Sequence, residues 1–300
     1  MREHYFEVAG FLLKVSLSAM WDIRRLLPSF VPFYQGTERG TDSREPLCHL
    51  TVGGTFAPDA DSGQELDVSE NDMGHVRLSA NKDGYVVELN YRSDGPVHVL
   101  YADRTFRTAR LRLLWNDPYV AEALNSMLRI VYSFAIPSQG GISVHAAAVV
   151  RNGMAYLFMG KSGTGKSTHA ALWQRCFPGC FLLNDDNPTV RVEDGGISVY
   201  GTPWSGKTPC YKNLRYPLGG VARLRQSAEN RFSLHTDVEA FKLLLPGCSV
   251  MRSDRMMCDR LYDLLSEVAV RVKVGELECR PDENAARLCA ASLSPDREQG

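Results

Sequence analysis

Apolar and polar positions alternate with the period of two that is typical of β-strands over much of the first 135 residues. The clearest segments of this kind are 75–79, 85–91 and 97–101. Turn-forming residues at 81–84 and 93–96 separate them. The pattern predicts a β-rich N-terminal domain over residues 1–135, built on a small antiparallel sheet.

The connecting segments of this half differ in composition. Residues 36–46 and 57–72 are rich in Gly, Asp, Ser, Thr and Glu, which predicts surface loops. Residues 18–27 have apolar positions at helical spacing and end at Pro28, which predicts a short helix.

The pattern changes from Asp117 onwards. Residues 118–134 carry the spacing of a long amphipathic helix, for which Asp117 is the predicted N-cap. Strands are predicted at 142–150 and 154–159, and further along the chain a helix at 259–268, a strand at 269–274 and a helix at 282–293. This alternation predicts a mixed α/β domain over residues 136–300.

Residues 160–167 read Gly-Lys-Ser-Gly-Thr-Gly-Lys-Ser, which satisfies the phosphate-loop (Walker A) pattern between a predicted strand and a predicted helix. Glycines let the backbone curl so that its N–H groups point at phosphate oxygens. Lys166 is expected to reach the β- and γ-phosphates, and the Ser167 hydroxyl to ligate Mg²⁺. The predicted nucleotide-binding residues are Gly160, Ser162, Gly163, Thr164, Gly165, Lys166, Ser167 and Thr168.

A second apolar strand, at 180–184, runs into Asp185 and Asp186. A carboxylate at this place after a phosphate loop is where a metal-binding aspartate is needed. Since adjacent strand-end residues point to different sides, one carboxylate can face the metal and the other an incoming hydroxyl. The alternative is an Asn/Asp turn before Pro188.

The segment 201–212 contains Gly, Pro, Trp204 and Lys207, which predicts an irregular loop. Beside a phosphate site, Lys207 would contact a phosphoryl group and Trp204 would offer a stacking face. The alternative is a rigid surface turn with one buried tryptophan. Further candidates for charge stabilisation are Arg215, Arg223, Arg225 and Arg231.

Composition excludes several classes of protein. The chain has 34 Lys and Arg against 35 Asp and Glu, so it lacks the basic surplus of a nucleic-acid-binding protein. It contains no run of about 18 uncharged apolar residues, and we expect no membrane partner. The eight cysteines show neither CxxC nor a Cys/His ladder, which predicts reduced thiols in a cytoplasmic protein.

Residues 143–192 resemble the catalytic domain of HPr kinase/phosphorylase. The resemblance rests on the loop at 160–167, the Asn-Asp-Asp run at 184–186 and a histidine on the preceding strand, His145. The same core is similar to that of ATP-dependent phosphoenolpyruvate carboxykinase. The resemblance implies an α/β phosphate-loop domain that uses ATP and Mg²⁺. It also implies that Ser167 and Asp186 hold the metal, that Asp185 is the catalytic base, and that His145 orients Asp185.

The rest of the chain departs from that family. Its N-terminal half is unlike that of HPr kinase, and the basic loop that grips HPr has no counterpart, so HPr is not the expected acceptor. The chain is also too short for a carboxykinase and most resembles HPr-kinase-related proteins of bacteria. By the resemblance, a homo-oligomer is one candidate assembly.

The sequence therefore predicts a Mg²⁺- and ATP-dependent kinase acting on a serine-type hydroxyl of a protein, a peptide or a small molecule. Two alternatives stay open: an ATP-binding sensor with little turnover, and a kinase for free serine or another small metabolite.

Overall fold

The computed structural model describes residues 1–39, 43–53, 63–71, 74–92 and 94–294. The chain divides into two compact units, Met1–Ile136 and Pro137–Gly300. In the described ranges, no helix combines the length and the apolar character that crossing a membrane requires.

The described residues of the first unit form one nine-stranded sheet with the order β3-β1-β2-β4-β9-β8-β7-β6-β5. The strands are β1 (Arg2–Val8), β2 (Phe11–Leu17), β3 (Tyr34–Gly36), β4 (Cys48–Val52), β5 (Gln64–Asn71), β6 (Gly74–Ala80), β7 (Gly84–Asn90), β8 (His98–Asp103) and β9 (Thr108–Arg112). Strand β4 pairs in parallel with both β2 and β9, so the sheet is mixed. The prediction of an antiparallel sheet is therefore wrong for these two strand pairs.

Two local predictions in this unit need correction. Between residues 18 and 27 only α1 (Ile23–Leu26) is helical, and a 3-10 helix, Pro28–Phe33, follows. Strand β5 lies inside the predicted loop 57–72, because its largely polar sequence at the sheet edge hides the alternation. Residues 40–42, 57–62 and 72 of the predicted loops lie outside the described residues.

Helix α2 (Val120–Ala135) begins two residues later than predicted. Asp117 Oδ1 accepts from the Tyr119 N–H at 2.9 Å, and Asp117 Oδ2 lies 2.9 Å from His98 Nε2. The backbone N–H of Leu114 donates to His98 Nδ1, so the ring proton is on Nε2 and points at Asp117. Asp117 therefore fixes the chain just before the helix rather than capping it.

The second unit is a sheet covered by helices on both faces. Its strands are β10 (Gly141–Ser143), β11 (Ala146–Arg151), β12 (Met154–Met159), β13 (Phe181–Asn184), β14 (Thr189–Glu193), β15 (Gly196–Tyr200), β16 (Arg215–Gln226), β17 (Arg231–His235) and β18 (Val274–Cys279). The order is β10-β14-β15-β16-β12-β11-β13, with β18 beside β16 and β17 beside β18. Only β12–β16 and β16–β18 pair in parallel among the described strands of this sheet.

The helices of this unit are α3 (Lys166–Cys176), α4 (Asp237–Leu244), α5 (Arg255–Arg271) and α6 (Glu283–Leu293). Helices α3 and α6 share one apolar cluster with the sheet, around Trp173, and α4 and α5 share the other, around Leu265. The sheet is therefore buried on both faces, as expected of a mixed α/β domain.

Two predictions fail in this unit. The predicted strand 142–150 is divided at His145, because β10 pairs with β14 whereas β11 pairs with β12 and β13. The predicted strand 269–274 is wrong, since α5 continues to Arg271 and β18 begins only at Val274.

Candidate functional site

The glycine-rich loop joins the end of β12 to the start of α3. Its three glycines have positive φ angles, 155° at Gly160, 77° at Gly163 and 103° at Gly165. Gly165 is the residue before the helix, where a left-handed backbone favours glycine and no side chain caps the first turn. The first N–H groups of this eleven-residue helix are therefore directed at the loop, in the arrangement that binds anions.

Lys166 is buried at the base of this loop. Its Nζ donates to the carbonyl of Gly160 at 3.1 Å and to that of Lys161 at 3.5 Å. Burial lowers the pKa of Lys166, while the charges of Asp186 and Asp185 act in the opposite direction. The amino group is thus held against the loop backbone and beside two acids.

His145 connects Lys166 to the acids that follow β13. Its Nε2 lies 2.8 Å from Lys166 Nζ, and its Nδ1 lies 3.1 Å from Asp186 Oδ1. Since the lysine amino group donates, Nε2 accepts and the ring proton on Nδ1 points at the carboxylate. His145 therefore lies against Asp186, whereas the resemblance implied that it orients Asp185.

Asp185 faces a different partner. It is buried, and its Oδ2 accepts from the backbone N–H of Thr208 at 3.0 Å. A Cβ at Gly206 would lie 3.3 Å from the Asp185 carbonyl and 3.5 Å from Oδ2. The loop 201–212 therefore packs directly on the acidic pair, and glycine at 206 allows this close approach.

Asn184 joins the loop 201–212 to the acidic pair through hydrogen bonds of its side chain. Its Oδ1 accepts from the N–H groups of Asp186 and Asn187 at 3.0 and 2.8 Å. Its Nδ2 donates to the carbonyl of Trp204 at 3.0 Å and also reaches Thr202. Because Asn184 is fully buried, these bonds fix the turn that carries both carboxylates.

The remaining predicted site residues lie on the outside of this arrangement. Ser162, Ser167, Thr168 and Lys207 are exposed, and the Thr164 hydroxyl donates to the Lys161 carbonyl. Trp204 is buried, so the expectation that it offers a stacking face is wrong. Its burial agrees with the alternative prediction for this segment, a rigid surface turn with one buried tryptophan.

The arrangement offers oxygen donors for a metal, although not a complete cage. In the described ranges, no three His, Cys, Asp or Glu side chains come together as a metal-binding group. Mg²⁺ is usually held by one or two carboxylates together with substrate phosphates and water. The exposed Ser167 hydroxyl and the Asp186 carboxylate fit that incomplete donor set.

Sequence reasoning missed the contributions of Asn184, Thr202 and Thr208, and it took Gly206 only as a residue that shapes the loop 201–212. Asn184 stands in the same Asn-Asp-Asp run as the acids, which was its only local signal. Thr208 acts through its backbone N–H, which its residue type does not indicate.

No family model matches the chain, and no curated protein matches it. Among solved structures, the HPr(Ser) kinase/phosphatase from Coxiella burnetii is similar, with 14% identity over 50% of this chain and 93% of that chain. The TM-score is 0.29. The chain therefore has a distant structural similarity to that protein, which adds nothing to the geometry of the site.

Proposed function

We propose that this protein binds a nucleoside triphosphate with Mg²⁺ at the loop 160–167 and transfers its γ-phosphoryl group to a hydroxyl. The contact chain from Lys166 through His145 to Asp186, with Asp185 beside it, carries the proposal. It combines a phosphate-binding loop, a buried cation and two carboxylates that face different partners.

Phosphate binding rests on the loop backbone, the first turn of α3 and Lys166. The helix N-terminus supplies a partial positive charge and N–H donors. Lys166 Nζ is oriented by the Gly160 carbonyl and His145, and it lies 3.5 Å from the Lys161 carbonyl. Its third N–H is the one from which a phosphate oxygen would accept.

Ser167 and Asp186 would hold the metal together with phosphate oxygens. Bound there, Mg²⁺ would neutralise charge that develops on the phosphoryl oxygens. His145 donates to Asp186 Oδ1 at 3.1 Å and so fixes the direction of that carboxylate.

Asp185 would take the proton of the acceptor hydroxyl. The hydroxyl oxygen forms a bond to the γ-phosphorus as the bond from that phosphorus to the β,γ-bridging oxygen breaks, and the nucleoside diphosphate leaves. The N–H of Thr208 holds one oxygen of Asp185 in place throughout. Lys166 stabilises charge on the transferred group.

The test is transfer of labelled γ-phosphate from ATP to free serine, to other hydroxyl metabolites and to total bacterial protein. We expect a labelled product whose formation requires Mg²⁺ and falls by at least about a hundredfold in Asp185→Asn. Tight nucleotide binding without transfer to any acceptor would instead favour a nucleotide sensor. Full transfer activity in Asp185→Asn would refute the role of that carboxylate as the base.

A further inference from the structure

A groove lies beside the glycine-rich loop, on the side where β16 runs past the end of β12. The two strands are parallel, with Met159 at the end of β12 opposite Arg223. Strand β16 continues to Gln226, whose Nε2 donates to the carbonyl of Gly163 at 3.3 Å. The end of β16 is thus attached to the loop and forms a wall next to it.

The groove has a volume of about 440 Å³. Loop residues 161–164 form one side, and residues 223–226 with Glu276 form the other. Small-molecule sites commonly occupy about 300–1,000 Å³. A ligand held by its phosphates in the loop therefore has room for a further group in this groove.

The charged side chains of the groove are held in a defined arrangement. Arg225 Nε lies 3.8 Å from Glu276 Oε2, and the guanidinium of Arg225 also contacts Glu278. Arg231 contacts Glu278 as well, and its Nε is 2.7 Å from that carboxylate. The carboxylates of Glu276 and Glu278 orient the planar guanidinium of Arg225. A guanidinium plane stacks well on aromatic rings.

Glu276 is the acceptor in this groove. It is opposite Arg223 in the register of β16 and β18, and its side chain is 30% exposed. Arg223 is directed away towards α4, where it donates to the Leu243 carbonyl at 2.9 Å. A carboxylate in this position accepts hydrogen bonds from vicinal hydroxyl groups and repels a bare phosphate.

We propose that this groove binds the nucleoside of the phosphoryl donor, with Glu276 accepting from the ribose hydroxyls and Arg225 stacking on the base. The inference rests on the proposed function, and it goes further in naming the residues that would hold the nucleoside and so favour a nucleoside triphosphate over an inorganic polyphosphate. The donor is a nucleoside triphosphate, and inorganic pyrophosphate or polyphosphate, which would leave the groove empty, is not the preferred ligand.

The experiment compares two probes by calorimetry in the presence of Mg²⁺, ATP and inorganic tripolyphosphate. The wild-type chain should bind ATP at least about tenfold more tightly than tripolyphosphate. Glu276→Ala and Arg225→Ala should each weaken ATP binding about tenfold, in line with the loss of one charged hydrogen bond or one stacking contact. Neither substitution should weaken tripolyphosphate binding, which also shows that the loop is intact in each variant.

Glu267→Ala is the matched control, because Glu267 is an exposed acid of α5 paired with Arg271. It should change neither affinity. Equal affinity of the wild-type chain for ATP and tripolyphosphate, or unchanged ATP binding in Glu276→Ala, would overturn the nucleoside site. If neither probe binds the wild-type chain, the proposed function itself fails.

Discussion

Replacing Asn184 by Asp tests whether one buried amide holds the acidic pair in place. The substitution keeps the shape of the side chain and the Oδ1 acceptor that serves the N–H groups of Asp186 and Asn187. It removes the Nδ2 donor, which reaches the Trp204 carbonyl at 3.0 Å and the Thr202 carbonyl at 3.3 Å. A carboxylate oxygen then faces two carbonyl oxygens in a fully buried position.

The Thr202 carbonyl loses its donor, whereas the Trp204 carbonyl still has the Thr202 hydroxyl at 3.2 Å, so the free energy of unfolding should fall by at least about 1–3 kcal/mol. Urea denaturation at pH 7 measures that difference. Asn152→Asp is the control, because Asn152 is an exposed turn residue with a φ of 51° that aspartate also tolerates, and it should change stability by less than about 0.5 kcal/mol. A loss below about 1 kcal/mol in Asn184→Asp would refute the structural role of the amide.

Three further predictions concern the loop, the acids and a buried histidine. Lys166→Ala should weaken ATP binding about a hundredfold by calorimetry, since it removes the buried amino group from the phosphate site, and unchanged affinity would contradict that placement. Gly206→Val should lower the transfer rate about tenfold with little change in nucleotide affinity, because its Cβ would lie 3.3 Å from the Asp185 carbonyl and shift the loop or the acid by a few tenths of an ångström. A normal rate would show that this close approach is not needed. Burial lowers the pKa of His169 to about 4 from 6.5, so the neutral ring is favoured in the folded state. Stability from this group is therefore complete above pH 6.5 and is lost as the pH falls towards 4, by about 3 kcal/mol in total. Urea denaturation at a series of pH values measures this loss, and the free energy of unfolding of His169→Gln should not show it. Identical pH profiles for the wild-type chain and His169→Gln would contradict the role of His169.

The sequence predicted well what depends on near neighbours. Strand β12, the glycine-rich loop and the start of α3 follow one another within about twenty residues, and the loop at 160–167 could be recognised from residue types and order alone. Strand β7 and helix α6 also lie within one residue of the predicted bounds, because their apolar spacing is regular.

Contacts between residues far apart in the sequence could not be predicted from residue types and spacing. The carboxylate of Asp185 is held by a backbone N–H 23 positions further along the chain, and His145 lies against Asp186 because β11 pairs with β13. The parallel pairing of β4 with β2 and β9 likewise depends on crossovers that alternation does not reveal. Strand β5 has only two apolar residues, Leu66 and Val68, which are too few to mark it as a strand.

Titration of the wild-type chain with ATP in a calorimeter, with and without Mg²⁺, tests the central claim most directly. We expect saturable binding of ATP that is stronger with Mg²⁺ than without it. The Lys166→Ala variant should bind ATP far more weakly or not at all. The absence of heat for ATP, GTP and inorganic tripolyphosphate alike, in a sample shown to be folded, would contradict the assignment of residues 160–167 as a phosphate-binding loop.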